Sequence, residues 1–250
     1  LIRDIAPVGM EFVGADTTKS YLVLGHSADE LRATGGFVSA IWLVTFENGR
    51  LTETRYYDVA RVDDWGRLEL YPRAPIGLEE HMYARVWLLR DVSWEPDFPT
   101  TARTAADMFK LGQGKDVDGV IALNQWTLLA LIQSLGSIQS PGGDASITPR
   151  NLFSKLEEGS DEHGRAYMDL VLQGILDRLD ESISLPTLMS IASAVYSSLQ
   201  KRDLLLYLED PKVHEVVRNN GWDGRVRQDS SDYLYVVDSN VGWSKADRNI

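Results

Sequence analysis

The 250-residue sequence contains no cysteine, which excludes disulfides, thiolate metal sites and cysteine nucleophiles together. It also lacks any unbroken apolar run long enough to cross a bilayer. No Gly-x-Ser-x-Gly elbow, Walker loop or dinucleotide glycine pattern follows an apolar run, so neither a hydrolase triad nor a nucleotide fold is indicated. The four histidines, His26, His81, His163 and His214, show no metal-ligand spacing, and no metal site is expected from them. Positive charge is in deficit. With 25 Lys and Arg against 37 Asp and Glu, the net charge is −12, which argues against non-specific nucleic-acid binding and against adsorption to an anionic leaflet. An anionic ligand would need a local basic pocket. The opening residues, Leu1-Ile2-Arg3-Asp4, carry neither an initiator Met nor a signal-peptide pattern. They suggest a fragment in which residues 1–19 are a leader following a removed membrane anchor. A cysteine-free chain is compatible with export.

What is present suffices for a core. At 44% hydrophobic and 25% charged residues, the chain can bury an ordinary globular interior, so the bulk of it is not disordered. Tyr21–Gly25 is a short buried strand, and Gly36–Phe46, rich in β-branched and aromatic residues, a longer one. Asn48-Gly49 then signals a tight hairpin, with Leu51–Asp58 as the returning strand. Residues 59–100 carry Pro72, Pro75, Pro96 and Pro99 and many charges without a clean period. They predict a long elaborated loop with one short helix, of the kind that is usually functional.

From Thr100 a helix is predicted, capped by Thr100 or Thr101 and ended by Gly112 and Gly114. Val117–Leu123 predicts a buried strand, and Asn124 an N-cap for a helix stopped by Gly136. Pro141-Gly142-Gly143 reads as a turn. Helices follow at about 149–158, 163–181 and 187–200. Leu204–Leu208 is a strand, Pro211–Asn220 a helix, and Tyr233–Val237 a last strand. Strands separated by helices, with one antiparallel hairpin, predict a single three-layer α/β domain over residues 1–250, built on a mixed central β-sheet flanked by helices.

Three segments could carry chemistry. In Asp29–Phe37, between two strands, Gly35 and Gly36 permit close backbone approach, and Thr34 with the Arg32 fork suits an anion. The plainer alternative is a tight turn in which Arg32 pairs with Asp29, Glu30 or another carboxylate. Between Arg32 and Arg103 there are nine arginines, no lysine and eleven acids. Bidentate forks suit phosphate, yet ion-paired loops account for most of them, leaving two or three to converge. In Leu89–Pro99, Arg90 and Asp91 alternate with Trp94 and Phe98, a polar rim with aromatic walls that suits a saccharide or prenyl-phosphate. The alternative there is a structural plug with Asp97 capping the next helix. Asp58, Asp63, Asp64, Asp91 and Asp97 have the oxygens Mg²⁺ takes, but spacing does not choose among them. Asp238 and Asn240 lie just past the last predicted strand, as either ligand groups or turn residues.

The segments ELRATGGF (30–37), LRDVSWEPDFPT (89–100), VDGVIALNQ (117–125), KRDLLLYLEDP (201–211), GWDG (221–224) and DYLYVVDSNVGWSKAD (232–247) resemble, in order, the bacterial family called domain of unknown function 4012. That resemblance implies an extracytoplasmic cell-envelope protein tethered by an N-terminal membrane segment, and brings no activity with it. A more distant similarity is to the LytR-CpsA-Psr phosphotransferases, which move glycopolymers from a polyprenyl-pyrophosphate carrier to peptidoglycan. The Tyr21–Gly25 strand, Arg32, the 36–58 hairpin, Asp58 and the Asp118–Gly136 unit are similar to that family in order. By position, Arg32 would match a pyrophosphate-binding arginine and Asp58 an acid near the metal. Two departures stand out: Tyr57 occupies the place of an arginine, and the later Arg-rich helix has no counterpart.

The resulting expectation is a domain that binds or transfers a lipid-linked, phosphate-bearing glycan. Arg32, Asp58 and Arg90 are its candidate catalytic residues, and Thr34, Gly35, Gly36, Arg55, Asp91 and Trp94 its candidate ligand contacts, with Mg²⁺ as the candidate cofactor. The competing expectation is a non-catalytic envelope interaction or glycan-binding module using Trp94, Trp222 and Trp243.

Overall fold

The computed structural model describes residues 9–139, 146–162, 167–227, 232 and 234–242. Five strands form the main sheet: β1 Lys19–Ser27, β2 Phe37–Glu47, β3 Arg50–Tyr57, β4 Gly119–Asn124 and, after the two-residue β5 Ile138–Gln139 and β6 Ser146–Ile147, β7 Leu204–Leu208. The order across the sheet is β3-β2-β1-β4-β7. Only the β1–β4 pair is parallel, and the other three are antiparallel. The sheet is therefore mixed, with its parallel pair at the centre.

Alternation along the central strands explains why they read as continuous apolar runs. Leu22 and Leu24 enter one core and Val23 the other, while in β2 Ile41 and Leu43 oppose Ala40 and Trp42. Burial on both faces demands apolar side chains at both phases of the pleat. The first core is closed by α2, reached after α1 Ile76–Met82 and spanning Phe98–Gln113, through Ala102, Ala105, Met108 and Phe109. The second is closed by α3 Gln125–Leu135, α4 Leu152–Glu162 and α5 Tyr167–Asp180. Two further helices, α6 Leu185–Lys201 and α7 Pro211–Asn219, complete a third cluster around Tyr21, Leu204, Leu208 and Trp222. Helices on both faces of one mixed sheet make the three-layer arrangement.

The hairpin between β2 and β3 turns on Asn48 and Gly49, both at positive φ (52° and 76°), the twist-compatible two-residue loop that Asn-Gly favours. Asn124 caps α3, accepting from the N–H groups of Trp126 and Thr127, and Gly136 ends it. The cap of α2 is Asp97 rather than a threonine: its carboxylate accepts from Thr100 N–H, and Pro99 sits in the first turn. Proline there gives up a donor that has no intrahelical partner anyway, so the helix begins two residues earlier than its apolar stripe suggests. Gly112 lies within it, and Gly114 is the terminator at φ 67°.

Residues 59–97 hold more than one short helix: 3-10 turns at Leu68–Leu70 and Leu89–Trp94 flank α1. The expected last strand is corrected. Residues 234–237 pair with no strand among the described residues and remain largely exposed. Strand propensity records fit to a half-buried pleated surface, and this segment runs instead to the loop after β1. Tyr233 and the Pro141–Gly143 turn lie outside the described residues. Upstream, Phe12 stacks on Tyr21 with ring centroids 4.6 Å apart, and Gly49 N–H donates to Val13 O, so residues 9–19 pack against the domain.

Candidate functional site

The loop Ala28–Gly36 after β1 is held between the sheet and the Leu89–Trp94 turn. Gly36, at φ 125°, passes so close to Ser27 that a Cβ would lie 2.2 Å from its carbonyl oxygen, which makes glycine obligatory. Ser93 Oγ donates to Gly36 O at 2.7 Å, and Thr34 donates to Ser93 O from both N–H and Oγ1. Thr34 and Gly36 thus dock the loop on the 89–94 turn; their donors and acceptors are used within the protein. Gly35 packs over His26, whose ring is fully buried with Nε2 unpartnered.

That docking aims Arg32 inward. Its side chain is 0% exposed, with the guanidinium 3.4 Å from Glu30 and 3.5 Å from Asp91. The Phe37 and Trp94 rings stand 5.6 and 5.9 Å away. Nη1 donates to the carbonyls of Leu31 and Asn240, and Nη2 lies 3.7 Å from Met82 Sδ. Arg90 reaches the same carboxylate through its other oxygen, Nε to Asp91 Oδ2 at 3.4 Å. Asp91 therefore joins two arginines from separate loops, with Trp94 packed over one of them.

On the Arg90 side lies a cavity of about 260 Å³ lined by Trp65, Leu68, Tyr83, Ala84, Arg85, Val86, Leu88, Arg90 and Asp91. Apolar walls, two guanidinium groups and one carboxylate share it. Its position is fixed from beneath by Asp63, which accepts from Leu89 N–H with both oxygens at 3.3 Å. Burial pushes the Asp63 carboxyl up to about 6, against the lowering pull of Leu89 N–H and Arg90. Burial acts oppositely on His26, drawing it down to about 4 despite a hydrogen bond with the Thr34 backbone; both follow from the cost of charge in a dry interior.

Of the residues singled out from the sequence, Arg32, Thr34, Gly35, Gly36, Arg90, Asp91 and Trp94 come together. Arg55 and Asp58 do not. Arg55 lies on β3 opposite Leu43 and stacks over Tyr57 at 5.2 Å. Asp58 accepts from Ala60 N–H in a surface turn, with Arg61 4.0 Å away. Other arginines are paired locally, Arg67 to Asp64 at 2.6 Å and Arg73 to Glu79 at 2.8 Å. Trp222 is buried, Trp94 faces Arg32, and Trp243 lies outside the described residues. The carboxylates considered for Mg²⁺ are dispersed into capping and ion-pairing roles. Among the described residues no three acidic or histidine side chains converge on a metal position.

Trp65 and Tyr83 escaped the sequence reading, and Arg85 stood in it only as one of nine arginines. They are spread over twenty residues without period, and their convergence depends on the Arg73–Val86 bridge and on Asp63. Enrichment in arginine and aromatics within an irregular stretch was the available signal.

A mixed sheet with helices on both faces recurs in solved structures similar to this chain. TagV of Bacillus subtilis superposes with a TM-score of 0.50 at 10% identity, covering 83% of this chain and 80% of that one. A LytR-Csp2A-Psr enzyme from Actinomyces oris gives 0.49 at 12% identity, over 83% and 76%. Such identities speak to fold alone. By sequence, the model of the protein family of unknown function DUF4012 matches residues 16–160, and the chain belongs to that family. No curated protein matches it.

Proposed function

We propose that this is a cell-envelope domain, held outside the cytoplasm by an anchor elsewhere in its protein, that binds a phosphate-bearing, lipid-linked glycan. The observation that carries this is the cavity beside Asp91. Arg85 and Arg90 offer cationic donors there, while Trp65, Leu68, Tyr83, Val86 and Leu88 offer apolar wall. A prenyl pyrophosphate presents the matching pair, a dianionic head and a greasy tail. The LytR-CpsA-Psr-like fold is consistent with such a ligand. Binding is favoured over transfer because phosphoryl transfer needs several cations around the departing charge. Here two line the cavity, and Asp58 stands in a surface turn away from them. No helix among the described residues is long and apolar enough to cross a membrane.

Isothermal titration with geranylgeranyl pyrophosphate tests the proposal. Binding should weaken by about tenfold or more in Arg90→Gln and again in Arg85→Gln, since each charge-assisted contact is worth about 1.5–3 kcal/mol. Inorganic pyrophosphate, lacking the tail, should bind more weakly than the prenyl form. An affinity unchanged by both substitutions would refute the site.

A further inference from the structure

The guanidinium of Arg32 is enclosed but poorly satisfied. Nη1 is used on two neutral main-chain carbonyls, those of Leu31 and Asn240. The carboxylate contacts of Nη2 are long, 3.4 Å to Glu30 and 3.5 Å to Asp91. Nε and Asp91 Oδ1 are both buried without a hydrogen-bond partner. A charged fork with five donors suits the paired oxygens of an anion, which it can hold bidentately.

The group that closes this pocket comes from the far end of the chain. Asn240 lies 208 residues from Arg32, accepts from it, and donates its own N–H to Leu31 O at 3.0 Å. Gly242 N–H closes a local turn onto Asn240 Oδ1. The residues leading into this contact are exposed, Leu234 at 88% and Val236 at 73%, and 234–240 pair with no strand among the described residues. Little apolar burial and an exposed, unpaired backbone course are the physical marks of a segment that opens at low cost.

We infer that residues 234–242 are a strap that gates Arg32, with the Asn240 carbonyl holding the place of a ligand phosphate oxygen. When the strap lifts, Nη1 turns from a main-chain carbonyl to the phosphate. Glu30 and Asp91 stay against the guanidinium, so the anion replaces Asn240 and not them. Through Asp91, Arg32 is one carboxylate away from Arg90 and its cavity, so an open strap adds a third cation to the two already lining it. This inference rests on the prenyl-pyrophosphate reading above and adds to it a means of regulation.

The absence of native cysteine makes a clean test available. In the full chain carrying Leu31→Cys and Asn240→Cys, oxidation ties the strap shut and reduction releases it. Titrated with geranylgeranyl pyrophosphate, the oxidised form should bind about tenfold more weakly than the same protein reduced, the loss expected for one charge-assisted contact. Independently, Asn240→Pro removes the N–H that holds Leu31 and should tighten binding several-fold. Equal affinities in oxidised and reduced protein, with Asn240→Pro also without effect, overturn the gate. If Arg90→Gln still weakens binding in that case, the binding site itself stands. Absence of binding in every form, reduced and Asn240→Pro included, overturns both.

Discussion

Asp63 and His26 are buried titratable side chains displaced in opposite directions, and their effects on stability oppose each other over one pH range. Asp63 keeps its proton in the folded chain up to about 6, against 3.8 ordinarily. Its contribution is fullest at low pH and is lost as pH rises through about 6, because the unfolded chain has by then released that proton. His26 loses its proton near 4 when folded, against 6.5 ordinarily. Its contribution is present above 6.5 and is lost as pH falls through about 4. Removing one exposes the other. Asp63→Asn keeps an acceptor for Leu89 N–H without the buried charge. It should be more stable than the parent above pH 7 by on the order of 2 kcal/mol, and should lose stability on acidification to about pH 4.5 where the parent stays nearly flat. Urea unfolding at a series of pH values reads both. Parallel curves for parent and variant would mean that Asp63 is not held protonated.

Helix α2 closes one core and also anchors the chain that leads to the strap. Asp97 does both through one carboxylate: Oδ2 takes Thr100 N–H and hydroxyl, at 3.2 and 2.8 Å, and Oδ1 takes Val226 N–H at 3.1 Å. Asp97→Ala should cost about 1–2 kcal/mol, the usual worth of an N-cap, and should speed tryptic cleavage at Arg225 and Arg227. Asp97→Asn, which retains an acceptor, should recover most of the stability. Cleavage unchanged in Asp97→Ala would separate the cap from the tail. The hairpin and α3 were legible because their signals are local: Asn48-Gly49 sets its own turn, and Asn124 reaches only two and three residues ahead. The start of α2 was less so, since Asp97 and Thr100 are both good caps and Pro99 decides between them. Residues 234–237 have the composition of a strand but no neighbour to pair with, and neighbours are not a local property.

At the scale of the whole molecule, stability is graded from the sheet centre outward. β1 has strands on both sides and a core on each face, so its amides and those of β4 should exchange only through global unfolding. Amides of 234–239 should exchange orders of magnitude faster, with Asn240 N–H intermediate because it is bonded to Leu31 O. Hydrogen exchange followed by NMR measures all three, and a strap as protected as β4 would contradict a segment that opens at low cost.

By itself the sequence determined the five strands of the main sheet, most helix ends, the absence of thiol chemistry and the three-layer class, because apolar periodicity, caps and turn residues act within a few positions. It also singled out Arg32 in one segment and Arg90, Asp91 and Trp94 in another, together with Arg55 and Asp58, without showing which of them meet. Only the tertiary structure decided that Arg55 and Asp58 stand apart, that Trp65, Tyr83 and Arg85 wall a cavity, and that Asn240 covers Arg32. Those outcomes depend on contacts between residues up to 208 positions apart, fixed by the sheet order and by loop docking rather than by any preference of the residues themselves.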